Sequence, residues 1–78
     1  MPPPLHTSKG IVQTVLVPKH DFSLQEAIDW LEGHGFKHRK VDITEDFFRF
    51  RQMPPMRGGE YRSKTLPNGI EIVIHYPN

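Results

Sequence analysis

Cysteine is absent from this 78-residue chain. Its absence excludes disulfides and thiolate zinc sites, the two devices with which small domains most often supplement a small core. Long apolar runs are missing too. No stretch approaches the roughly 20 residues that cross a bilayer, and the N-terminus lacks the charged-then-apolar order of a signal peptide. These absences predict an intracellular protein that does not engage a membrane. Apolar residues make up only 36% and mean hydropathy is −0.54, yet five Phe, one Trp and two Tyr, with several Ile and Val, suffice for one compact core. A second domain is excluded, because a chain of this length buries only roughly 60–65% of its unfolded surface even as one unit.

Catalytic equipment is equally sparse. The serines are Ser8, Ser23 and Ser63, and Gly58-Gly59 is not followed by the Lys-Ser or Lys-Thr of a phosphate loop. Glu45 and Asp46 are adjacent, so in a strand they point to opposite faces, and a turn accounts for them better. Converging acids are what general acid-base chemistry needs. The chain is therefore expected not to be an enzyme and to need no cofactor. Of the five histidines, His34 and His38 would share a helical face only if the helix ran through Gly35 and Phe36, which end it. No metal site is predicted.

What is present begins with an uneven charge. The net charge is +1, but residues 37–64 carry eight Lys or Arg against Asp42, Glu45, Asp46 and Glu60, an excess of four. Residues 1–10 hold three consecutive prolines and are predicted to form an extended, flexible tail, leaving 11–78 as the domain. Residues 11–17 (IVQTVLV) are β-branched and bounded by Gly10 and Pro18, which predicts an interior strand with Ile11, Val15 and Val17 on one side and Val12 and Leu16 on the other.

Ser23-Leu24-Gln25-Glu26 reads as a capping box. Leu24, Ala27, Ile28 and Leu31 then form an apolar stripe, and Gly33 and Gly35 are stop signals, so a helix is predicted over 24–33. Trp30 lies at the margin of the stripe, where it covers the helix-sheet seam or anchors a partner. Residues 40–44 alternate, with Val41 and Ile43 expected inward, and a turn at Glu45-Asp46 leads into 47–52. Met53, Pro54, Pro55 and Met56 break that strand, and Asn68-Gly69 marks a last hairpin before Ile70, Ile72 and Ile74. The expected fold is α+β, with a single helix packed on one face of a mainly antiparallel sheet of four to five strands, in the order β-α-β-β-(β)-β.

Alternation splits the stretch Phe47-Phe48-Arg49-Phe50-Arg51: Phe48 and Phe50 face the core, while Phe47, Arg49 and Arg51 face away. An aromatic ring between guanidinium groups on a sheet suits single-stranded nucleic acid, with a base on the ring and phosphates on the cations. Lys37, Arg39 and Lys40 would extend that anion-binding surface. On the other reading, Arg49 and Arg51 pair across strands with Asp42 and Glu71 and solvate an open face. A protein-binding alternative rests on Trp30, on Met53, Pro54, Pro55 and Met56, or on a sheet edge.

The runs FSLQEAIDWL (22–31), HGFK (34–37), Val41-Asp42, FFRFRQ (47–52) and Gly69-Ile70 resemble a small uncharacterised domain of tailed-phage and large DNA virus proteins. The resemblance covers residues 15–74, and the proline-rich ends depart from it. It implies a viral or prophage setting, in host cytoplasm, nucleus or virion, and a helix-plus-sheet fold. It supplies no activity and gives no residue a catalytic role.

Overall fold

The computed structural model describes residues 10–77, and the tail assigned to 1–10 lies, through residue 9, outside them. Six elements follow in order: β1 (Ile11–Pro18), α1 (Leu24–Gly33), β2 (Asp42–Ile43), β3 (Phe47–Arg51), β4 (Glu60–Thr65) and β5 (Glu71–Tyr76). The strands form one antiparallel sheet in the order β2-β3-β1-β5-β4, which with the single helix is the expected α+β arrangement. The first strand is thus the centre of the sheet, and the two later hairpins add on either side of it.

β1 can serve as a centre because it is apolar on both faces, but its faces differ from the simple alternation. Val12 pairs with Ile74 and Thr14 with Val73, so Gln13 is an extra residue with no opposite number on β5. This bulge returns Val12 to the face of Val15 and Val17, and sends Ile11 to the other face with Thr14 and Leu16. The bulged Gln13 is itself buried, and its Nε2 donates to the Met53 carbonyl at 3.0 Å.

α1 occupies the predicted residues because both ends are specified locally. The Ser23 hydroxyl accepts from the Glu26 N–H at 3.1 Å, and the Glu26 carboxylate accepts from the Ser23 N–H at 2.8 Å. At the other end Gly35 takes a φ of 77°. Its N–H donates to the Glu32 carbonyl and the Phe36 N–H donates to the Leu31 carbonyl at 2.9 Å, a Schellman closure that drops Phe36 into the core beside Leu31. The core joins these residues to Val12, Val15, Val17, Ala27, Phe48, Phe50 and Ile70. Each large side chain so buried contributes roughly 1.5–3 kcal/mol. Trp30 is half-buried at the seam, stacked on His34 at a centroid distance of 3.9 Å and on Phe36 at 6.0 Å.

One expectation about the core fails. Ile43 pairs with Phe48 and so lies on the core side of the sheet, yet it is 59% exposed, because β2 is a two-residue edge strand outside the cover of the helix. Thr44 ends that strand at once: its N–H donates to the Phe47 carbonyl at 2.9 Å and its hydroxyl accepts from the Phe47 N–H at 3.1 Å.

Candidate functional site

β3 puts Phe48 and Phe50 in the core and Phe47, Arg49 and Arg51 on the other face, as alternation requires. The neighbouring strands then separate these three residues. Phe47 is half-buried against the turn, opposite Pro18. Arg49 lies between Leu16 of β1 and Asp42 of β2, and its Nη2 reaches the Asp42 carboxylate at 3.3 Å. Glu71 is across β1, opposite Leu16, and forms no pair with either arginine. Arg51 is opposite Thr14, exposed, and makes no ion pair with a described residue. Phe47 and Arg49 therefore belong to a neutral patch, and Arg51 stands apart from them.

Arg51 instead faces the segment that follows the helix. Gln52, buried at the end of β3, accepts the Lys37 N–H on Oε1 at 2.8 Å and donates from Nε2 to the Lys37 carbonyl at 3.0 Å and to the Phe50 carbonyl at 3.3 Å. This two-way clasp fixes the backbone at Lys37 against β3, so that 37–40 run beside Arg51. Between them lies an open cleft of about 740 Å³, with Gly35, Phe36 and 37–40 on one side, Arg51, Gln52, Met53 and Pro54 on the other, and Asp42 at its border.

The cleft gathers four of the six residues assigned to an anion site: Lys37, Arg39, Lys40 and Arg51. None of the four forms an ion pair with a described residue. Asp42 is the sole carboxylate in the lining, and its charge is already offset by Arg49 from outside the cleft. His38, also in the lining, has Nε2 3.5 Å from the Glu32 carboxylate. The result is a concave surface on which four cations outnumber one engaged carboxylate, and low-dielectric walls focus the field of such a cluster.

The residues named for protein binding are dispersed. Met53 and Pro54 are part of the cleft wall, Pro55 and Met56 are exposed further along the same loop, and Trp30 is held in its ring stack. The loop folds back over the face of the sheet away from the helix. The Tyr61 hydroxyl accepts the Met56 N–H at 3.0 Å and donates to the Met56 carbonyl at 2.9 Å, and His75 Nε2 bonds the Gly58 carbonyl at 2.7 Å. His75 is fully buried beneath it. Gly59, at φ 72°, has no room for a side chain, since a Cβ there would lie 2.1 Å from the Tyr76 carbonyl oxygen.

Sequence reasoning missed Gln52, Phe36 and the buried His75. A glutamine at a strand end carries no periodic signal, and its role exists only once Lys37 is beside it. Among the described residues no three His, Asp or Glu side chains cluster closely enough to hold a metal ion, and no helix is long and apolar enough to cross a membrane. No protein-family model, curated protein or solved structure matches the chain.

Proposed function

We propose that this chain is a small non-enzymatic interaction module that binds an anionic partner, nucleic acid, in the cleft between 35–40 and the end of β3. The observation that carries this reading is the convergence of Lys37, Arg39, Lys40 and Arg51 on one concavity whose sole carboxylate is engaged by Arg49. Single-stranded phosphodiester is a natural ligand for separated surface cations, because its flexible backbone can follow them.

Titration of a labelled oligonucleotide across salt concentrations tests this. Each phosphate neutralised contributes about −0.7 to the slope of log affinity on log salt for a single strand, so four contacts predict a slope of about −3. A flat salt response, or no binding at low ionic strength, contradicts the reading.

A second reading, a protein-binding module, has one observation on its side. β4 is an edge strand of six residues, all exposed, that pairs along its whole length with β5 on its inner side. An extended peptide could add to such an edge, although Glu60, Arg62 and Lys64 are also the kind of charges that protect one. Salt-tolerant capture of a partner that Ser63→Pro abolishes would favour it over the cleft.

A further inference from the structure

Resting on the anion-binding reading above, we propose that the cleft seats an unpaired nucleobase against Met53 and Pro54 while Lys37, Arg39, Lys40 and Arg51 hold the flanking phosphates, which makes single-stranded nucleic acid the ligand. The lining is mixed in a way that a plain phosphate site would not need. Met53 is half-buried and Pro54 exposed on one side of the cleft, and the cations come from both sides. Bases taken out of a stack are held by contact with apolar surfaces, with basic groups tracking the backbone.

Size and shape point the same way. A cleft of about 740 Å³ falls within the range of pockets that enclose small organic groups, about 300–1,000 Å³, and exceeds what a lone phosphate fills. It is concave, whereas bases inside a duplex are reached by an element that projects into a groove about 12 Å wide. The described cleft lining offers no projecting helix or ribbon. Gly35, exposed at φ 77° on the helix side, adds no side chain to the opening. The amide of Gln52 is committed to the backbone of Lys37 and Phe50. With that amide spent, the base is held by contact more than by hydrogen-bond readout, and sequence preference is weak.

Fluorescence anisotropy on the full chain tests the proposal with four probes at one salt concentration: a short oligothymidylate, an abasic phosphodiester strand of the same length, the corresponding duplex, and heparin. The oligothymidylate should bind about tenfold tighter than the abasic strand, and it should also bind tighter than the duplex. Met53→Ser and Pro54→Ser should each weaken oligothymidylate binding more than abasic binding and so narrow the gap between the two strands, with circular dichroism confirming the fold of both variants. Equal affinity for oligothymidylate and abasic strand, with Arg51→Ala weakening both, overturns the base seat and leaves the anion site standing. Failure of all four polyanions to bind at low salt overturns both.

Discussion

Arg49 and Arg51 are two residues apart on one strand and point from the same face, yet they have different surroundings. Arg49 is half-buried between β1 and β2 and pairs with Asp42. Arg51 is exposed at the strand's end and joins three other cations around a cleft. Both side chains being partly solvated, the Arg49 pair contributes at most about 1 kcal/mol to stability. Its consequence is electrostatic: it silences the one acid that could have neutralised the cleft. Alternation therefore assigns a face to a side chain, and the register of the adjacent strand assigns its partner. Of the two readings of this strand, the solvated ion pair is realised at Arg49, and the anion site is the one proposed for Arg51.

Three substitutions probe that difference, beginning with the largest effect. Phe50→Ala removes the buried ring between the two arginines and should cost about 3–5 kcal/mol by urea unfolding, abolishing both environments together; wild-type binding in that variant would mean that the cleft does not depend on β3. Gln52→Leu leaves the Lys37 N–H and carbonyl without their partner. It should cost about 1–3 kcal/mol and weaken oligonucleotide binding several-fold, because 37–40 are no longer held beside Arg51. Retention of full affinity would separate the cations from the clasp. Asp42→Asn should leave stability within about 0.5 kcal/mol and tighten oligonucleotide binding by about twofold, since it frees Arg49 and removes the cleft's one negative charge. A loss of affinity there would show that the acid helps to hold the ligand.

Much of the architecture was legible because it is encoded locally. The capping box at Ser23 and Glu26 and the left-handed Gly35 place both ends of α1, and the spacing of Phe48 and Phe50 places the core face of β3. What escaped depends on contacts between distant segments. The bulge at Gln13 is visible only when β1 is paired with β5, and it reassigns Ile11 and Val12 to opposite faces from those that alternation gave them. Ile43 follows the alternating pattern but sits at an edge that the helix does not cover. For the site, the basic excess of 37–64 was plain in the sequence, and four of the six assigned anion contacts line the cleft. Their convergence was not, because it depends on one glutamine 15 residues away from the backbone that it clasps.

The central claim is that the anion site lies at Arg51 and not at Arg49, and alanine substitution of each arginine in turn tests it directly. In anisotropy titrations of a single-stranded oligonucleotide over a range of salt, Arg51→Ala should weaken binding at least about fivefold and reduce the magnitude of the salt slope by about 0.7. Arg49→Ala should weaken binding by no more than about twofold and leave the salt slope unchanged, because that cation lies outside the cleft and its loss acts only by unmasking the exposed Asp42 carboxylate. Equal losses at the two positions, or a larger loss at Arg49, would return the binding surface to the open sheet face and contradict the cleft.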